Sequence, residues 1–311
     1  MSEKRDFAII GTGAVGGFYG GLLQQAGFGV HFLVHHDYEE VRKHGLVIDS
    51  INGNFRLPHV HAYNDPRLMP PCDVVVIALK TTANSALPDI LPQVMGAHSH
   101  ALTLQNGLGS EAEIARIVGA DRVMGGLCFL CSSKISPGHI RHLDYGLITL
   151  GEYRADGQPG GITPRLKTLK THFDAARIPV RLVDDLALAR WKKLVWNIPF
   201  NGLSVVLNQT TDQLIKNKST RERCSTLMQE VANAAAVCSR PIETEFIEKM
   251  IADTERMEPY APSMKLDFDR GNPMEIESIY GNPIRAARAA GVDMPETEKL
   301  YRQLLAINPI V

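Results

Sequence analysis

Three polar side chains, Lys193, Asn197 and Asn201, occur at intervals of four in an otherwise apolar and aromatic stretch. If this stretch is a helix, each interval drifts by only about 40° around the axis, so all three project from one face. Polar groups in such surroundings are costly unless they meet one another or a polar ligand. The residues alone leave two alternatives open, a binding or catalytic site and a solvated helix face.

A glycine-rich hexapeptide follows the apolar run 7–10 and precedes a helical pattern; it reads Gly11, Thr12, Gly13, Ala14, Val15, Gly16. In this G-x-G-x-x-G form the first glycine permits a tight turn and the second lets the backbone approach a pyrophosphate. The third lets the helix pack closely on the strand. The N–H groups at the start of the helix can bind the anion. The sequence therefore predicts a dinucleotide-binding site, with a merely structural turn as the alternative.

The residues after the second predicted strand bear on the choice between NAD and NADP. Enzymes that prefer NAD usually place an acidic residue there, which holds the ribose 2′-OH. This chain has His35 and His36 at that place, and Asp37 comes later. The missing carboxylate favours NADP(H), although histidine is only partly cationic near neutral pH. Lys80, at the end of another strand, is a further candidate contact for cofactor or substrate, with a plain strand-end lysine as the alternative.

The elements that must position these residues divide the chain into two parts. In the first part short apolar runs alternate with helical patterns, which is typical of a parallel βαβ sheet. After 180–183 nearly every pattern is helical. The sequence therefore predicts an α/β protein with an N-terminal Rossmann-type parallel-sheet domain over residues 1–183. An all-helical domain is predicted over residues 184–311.

Composition excludes several kinds of partner. Apolar residues make up 44% and charged residues 22% of the chain, and the net charge is −1, so neither nucleic acid nor an anionic membrane surface is expected. The longest apolar run, 74–79, is too short to cross a bilayer. Five scattered cysteines fit reduced thiols in the cytoplasm. The pairs His59-x-His61 and His98-x-His100 have no further ligands nearby, so no metal site is expected.

The order of the motifs resembles the ketopantoate reductase (2-dehydropantoate 2-reductase) family over nearly the full chain. The glycine loop and Lys80 match, and Gln-Asn-Gly at 105–107 is similar to the Q-N-G motif of the family. The pattern at 193–201 looks like its K-x-x-x-N-x-x-x-N helix. Ser263-Met264, followed by Glu275, is similar to its serine and glutamate pair. The tail at 291–297 also resembles that of the family.

The resemblance implies a role for each matching residue. Lys193 would be the general acid that protonates the alkoxide, and Glu275 would orient it. Asn106 would lie where cofactor and substrate meet. The implied cofactor is NADP(H), and the implied reaction is the reduction of ketopantoate to pantoate in pantothenate biosynthesis. The residues implied to bind the hydroxyl and carboxylate of the substrate are Asn197, Asn201 and Ser263.

Two departures from the family and several alternatives remain. The family commonly has an arginine where this chain has His35 and His36, and Pro199 and Gly281-Asn-Pro283 are unusual in helices. The substrate could be another small 2-oxo acid, or the chain could be a hydroxyisobutyrate-type dehydrogenase. A non-catalytic NADP(H)-binding regulator is an alternative of a different class, against which the lysine and glutamate argue. The sequence does not fix the oligomeric state, and a homodimer is one alternative.

Overall fold

A computed structural model describes residues 5–308, so the outermost residues of both predicted domains, 1–4 and 309–311, lie outside it. The described chain forms two compact units. The first comprises the chain up to Gln105 together with Ser110–Leu186, and the second comprises Asn106–Gly109 together with the chain from Ala187 onward. The passage from the first unit to the second, between Leu186 and Ala187, lies close to the boundary expected after residue 183. The prediction differs at Asn106–Gly109, which it includes in the sheet domain and which the structure groups with the helical unit.

The first unit is built on one ten-stranded sheet in the order β4-β3-β9-β8-β7-β6-β1-β2-β5, with β10 beside β9. Neighbouring strands are parallel except for the pairs β3–β4 and β8–β9. The stretch β5-β2-β1-β6-β7-β8 has the strand order of a doubly wound dinucleotide-binding fold, which confirms the predicted class. The strands are β1 (Asp6–Ile10), β2 (Gly29–Leu33), β3 (Leu46–Ser50), β4 (Phe55–Leu57), β5 (His61–Tyr63), β6 (Cys72–Ile77), β7 (Met95–Thr103), β8 (Val123–Ser136), β9 (His139–Glu152) and β10 (Val180–Leu182).

Both faces of this sheet are covered. Along β1, Phe7 and Ile9 pack into one apolar core, and Ala8 and Ile10 pack into the other. A strand segment buried on both faces has no polar positions, which explains the uninterrupted apolar runs 7–10 of β1 and 74–77 of β6. The helices of this unit are α1 (Ala14–Gln25), α2 (Tyr38–His44), α3 (Leu87–Val94), α4 (Ser110–Val118) and α5 (Pro164–Ala175).

The hairpin of β8 and β9 differs from the short strands that its sequence suggests. The apolar patterns at 139–143 and 147–150 predict two separate strands, whereas β9 runs without interruption from His139 to Glu152. The polar residues between the two expected strands form an irregularity in the pairing, where Tyr145 and Gly146 have positive φ values of 63° and 130°. A local bulge therefore interrupts the pairing without ending the strand.

The second unit is helical and has its own core. Trp191, Leu194 and Ile198 of its first helix belong to that core, and so do Leu227 and Val231 of the longest neighbouring helix. Within residues 5–308 no helix is both long and apolar enough to cross a membrane. The helices are α6 (Leu186–Val206), α7 (Thr211–Lys216), α8 (Lys218–Val237), α9 (Thr244–Arg256), α10 (Ser263–Asp269), α11 (Asn282–Ala289) and α12 (Pro295–Ile307), with a π-helix over Glu277–Gly281 before α11.

Candidate active site

The glycine-rich loop joins β1 to α1, and its glycines have the spacing that a phosphate-binding turn needs. Gly11 has a φ of +100°, and a Cβ there would lie 2.6 Å from the Leu79 amide nitrogen. A Cβ on Gly16 would lie 2.2 Å from the Gly11 carbonyl oxygen, whereas a Cβ on Gly13 would meet nothing within 4 Å. No side chain caps α1 and no acidic residue lies in its first turn. The loop and its unpaired amides therefore fit a pyrophosphate.

The end of β2 carries two exposed imidazoles in place of a carboxylate. The rings of His35 and His36 lie 4.1 Å apart and nearly perpendicular. The nearby Asp37 is only 7% exposed, and its Oδ2 accepts hydrogen bonds from Lys134 Nζ (2.7 Å) and from the Gly138 amide (3.3 Å). The carboxylate is thus bound to the β8–β9 hairpin, and the charge of Lys134 offsets its repulsion of a 2′-phosphate. Sequence reasoning missed Lys134, because nothing local marks a partner ninety-seven positions away.

Further polar groups follow the ends of β6 and β7. Lys80 is exposed and precedes a 3₁₀ turn over Thr81–Ala86. The Gln105 side chain donates from Nε2 to the Leu79 carbonyl (3.0 Å) and to Asn84 Oδ1 (2.6 Å). The carboxyl ends of these two strands are therefore tied together, at the edge where α/β sheets bind ligands.

In the helical unit, α6 positions the predicted lysine. Lys193 is half-buried, and its Nζ donates a 2.7 Å hydrogen bond to Oδ1 of Asn106. Asn106 belongs to the same unit as Lys193, although it directly follows Gln105 in the chain. Two residues that the sequence assigned separately to one site are thus in direct contact.

The two asparagines of α6 are buried. Asn197 is 6% and Asn201 is 3% exposed, and the Asn201 Oδ1 has no hydrogen-bond partner within the described residues. A buried carboxamide oxygen of this kind needs a donor, which a ligand hydroxyl would supply. Ser204 Oγ is also buried without a described partner, but it lies roughly 16 Å along the helix axis from Lys193 at 1.5 Å per residue. A small acid held by Lys193 does not span that distance.

The two remaining predicted residues lie in the same helical unit. Glu275 is 4% exposed and lies two residues before the π-helix, and the half-buried Ser263 begins α10. The burial of this carboxylate indicates that it has a polar partner, because acidic side chains are almost never fully buried unless they are paired. Orientation of Lys193 by Glu275 stays a prediction.

A G-x-G-x-x-G loop in a doubly wound sheet, with an ammonium held by a carboxamide in a helical unit, fits a nicotinamide-dependent oxidoreductase. Residues 7–155 match the family described as ketopantoate reductase PanE/ApbA, and residues 185–308 match the C-terminal part of that family. The chain belongs to the ketopantoate reductase family, which confirms the resemblance drawn from its motifs.

Individual relatives cover nearly the whole chain. A 2-dehydropantoate 2-reductase from a Nostoc species is 51% identical, over 97% of this chain and 95% of that protein. The crystal structure of a 2-dehydropantoate 2-reductase from Geobacter metallireducens is 40% identical with a TM-score of 0.93, over 97% of this chain and 99% of that one. The corresponding structure from Methylococcus capsulatus is 32% identical with a TM-score of 0.88, over 97% and 96%.

Proposed function

We propose that the protein reduces 2-dehydropantoate (ketopantoate) to pantoate with NADPH, a step of pantothenate biosynthesis. The observation that carries the mechanism is the 2.7 Å hydrogen bond from Lys193 Nζ to Asn106 Oδ1. It fixes an ammonium on a helix face that also bears buried carboxamides, as the reduction of a polar 2-oxo acid requires.

Lys193 supplies the proton in this proposal. When bound, NADP(H) supplies the hydride that converts the keto group into an alkoxide. An ammonium has three donors, and in this proposal Lys193 donates to the keto oxygen while Asn106 holds its Nζ in place. The same group stabilises the developing negative charge and then protonates the oxygen. Glu275 has the role of orienting the lysine.

Asn197, Asn201 and Ser263 bind the remaining polar groups of the substrate. The Asn201 Oδ1, buried and without a described partner, accepts the substrate hydroxyl. The carboxamide N–H groups and the serine hydroxyl are donors suited to a carboxylate. A substrate with both groups would satisfy more of these side chains than a simple 2-oxo acid, which favours ketopantoate over other acids.

The first unit holds the cofactor and the second carries the substrate residues. The loop Gly11–Gly16 binds the pyrophosphate, because Gly13 leaves space and the α1 amides face it. His35 and His36 contact the 2′-phosphate, and Lys80 and Asn106 are further cofactor contacts. The ion pair with Lys134 offsets the negative charge of Asp37, the residue after His35 and His36, which supports NADP(H) over NAD.

The decisive test replaces the lysine and compares it with its neighbour. Lys193→Ala should lower kcat by about a hundredfold to ten-thousandfold, the usual contribution of a general acid. Lys192→Ala is the matched control, because its Nζ lies 5.2 Å from the centre of the Phe246 ring and is not assigned to the site. The assay is NADPH oxidation with ketopantoate and a panel of other 2-oxo acids. An active Lys193→Ala enzyme would refute the mechanism, and clear preference for another acid would refute the substrate.

The oligomeric state and the cellular location complete the proposal. The protein forms a homodimer, as does the dimeric ketopantoate reductase of Staphylococcus aureus, which is 20% identical over 97% of this chain with a TM-score of 0.82. A monomeric mass by light scattering would contradict this. The enzyme works in the cytoplasm, in keeping with five cysteines that form no disulfide among the described residues. Fractionation that recovers it outside the cytoplasm would contradict that assignment.

A further inference from the structure

The short π-helix Glu277–Gly281 follows Glu275 and has an unusual hydrogen-bond register. Its C-terminal amide, that of Asn282, donates to the Glu277 carbonyl five residues earlier. In the same register the Ser278 carbonyl would accept from the amide of residue 283. Residue 283 is a proline, however, and has no N–H. The Ser278 carbonyl instead accepts a 2.8 Å hydrogen bond from the Leu108 amide.

Leu108 lies in the 106–109 loop (Asn106–Gly109), and a second contact holds its other backbone group. Asn282 Nδ2 donates to the Leu108 carbonyl at 2.6 Å, and Arg285 fixes the Asn282 carboxamide by donating to its Oδ1 at 2.7 Å. Glycines lie on both sides of Leu108, both with positive φ, and at Gly107 the approach of backbone atoms excludes a side chain. A Cβ on Gly107 would lie 2.2 Å from the Ser278 carbonyl oxygen, and a Cβ on Gly109 would lie 2.8 Å from Asn282 Nδ2.

The same π-helix also contacts α6, at the residues that directly follow the two asparagines of the site. The Tyr280 hydroxyl donates to the Ile198 carbonyl at 2.8 Å and lies next to the Gly202 amide. In a regular α-helix that carbonyl and that amide would bond to each other, so the hydroxyl is inserted into the ladder beside Pro199. A Cβ on Gly202 would lie 2.6 Å from the tyrosine oxygen, so the insertion requires glycine.

We propose that the π-helix, together with Asn282, positions both partners of the Lys193–Asn106 hydrogen bond. Ser278 and Asn282 hold the loop that begins with Asn106, and Tyr280 sets the path of the helix that carries Lys193. These are positioning residues that do not touch the substrate. The inference rests on the proposed function, because it concerns the placement of the ammonium in that reaction. Misplacement of a catalytic group by about 1 Å can cost a hundredfold in rate.

Two variants of the intact enzyme test the two sides of this arrangement. Asn282→Leu removes the donor to Leu108 at similar volume, and we expect kcat to fall at least about tenfold with an unchanged KM for NADPH. Tyr280→Phe lets Ile198 and Gly202 bond directly, which regularises α6, and a similar fall in kcat is expected with little change in melting temperature. Arg288→Gln is the matched control on α11, because it loses only exposed ion pairs to Asp293 and Glu298.

A double-mutant cycle shows whether the effect passes through Asn106. Residues that act as one unit are non-additive, so Asn106→Ala combined with Asn282→Leu should be no slower than Asn106→Ala alone. Multiplicative losses would overturn the proposal, and so would an Asn282→Leu enzyme with altered melting temperature and normal kcat. If Asn282→Leu does not fold, the conservative Tyr280→Phe variant decides, and normal kcat there overturns the proposal. An active Lys193→Ala enzyme would refute the proposed function instead, which separates the two failures.

Discussion

Replacing Gly107 by alanine is the most direct perturbation of the 106–109 loop. The residue has a φ of +85°, a region that costs a side chain roughly 1–2 kcal/mol. The new Cβ would also lie 2.2 Å from the Ser278 carbonyl oxygen, 2.3 Å from the Ser278 carbonyl carbon and 2.7 Å from its Cβ. Because two of these three atoms are backbone, the contact cannot be relieved by a change of rotamer.

The size of the required movement sets the expected loss of activity. Cβ contacts below 3.0 Å are essentially absent from proteins, so the loop or the π-helix must move by roughly 0.8 Å or more. Asn106 is the adjacent residue and would move with the loop. A displacement of about this size in a catalytic group corresponds to roughly a hundredfold loss of kcat, or about 2.7 kcal/mol in the activation free energy.

The control for this experiment is Gly119→Ala. Gly119 has a φ of +91°, close to that of Gly107, but a Cβ there would meet nothing within 4 Å. It therefore reproduces the backbone strain without the collision. In an NADPH-oxidation assay with ketopantoate, Gly119→Ala should keep its kcat and lose some thermal stability, whereas Gly107→Ala should lose both. Equal kcat values for the two variants would refute the argument that the close approach to Ser278 positions the site.

Two further predictions follow from the first unit. Lys134→Met leaves the Asp37 carboxylate without the ammonium that offsets its charge. The KM for NADPH should therefore rise severalfold, while the KM for NADH stays within about twofold. The control Lys43→Met changes an exposed lysine of α2 and should alter neither KM. Equal changes for both cofactors would contradict the assignment of Asp37. Burial lowers the pKa of His172, so its stabilising contribution is present above about pH 6.5 and is lost as the pH falls through the lower folded value. The melting temperature should therefore drop between about pH 7.5 and 5.5, and a drop of the same size in His172→Leu would contradict this.

Periodicity and burial made the central sheet predictable, whereas its edges were not. The expected second strand, 30–34, is displaced by one residue from the observed Gly29–Leu33. By contrast, the sequence predicts none of α2, β3, β4 and β5 in the stretch 38–63, because elements of three to seven residues are too short to show a period. Ser219 followed by Glu222 has the spacing of a helix cap and predicts that α8 begins there. That prediction is wrong, since Asn217 accepts the first amides instead.

Those parts of the candidate site that have a distinctive residue type and spacing could be predicted from the sequence. The polar face of α6 is one of them, because Lys193, Asn197 and Asn201 recur at intervals of four in an apolar stretch. The resemblance to a family was needed for Glu275 and Ser263, which no local pattern distinguishes. The contact of Ser278 with Leu108 is between backbone atoms, so no residue type encodes it. Pro283 was an unexplained departure in the sequence, and the structure relates it to the π-helix that precedes it.

Because Asn106–Gly109 belongs to the helical unit while its flanking residues belong to the other, neither unit is encoded by one continuous stretch. A fragment that stops near residue 183 would retain this loop without the groups that hold it. A fragment that starts there would keep Lys193 without its carboxamide. Chimeras assembled from two relatives should therefore exchange these four residues together with the C-terminal half. A single crossover near residue 183 would combine the loop of one relative with the π-helix of the other, although the two segments contact each other directly.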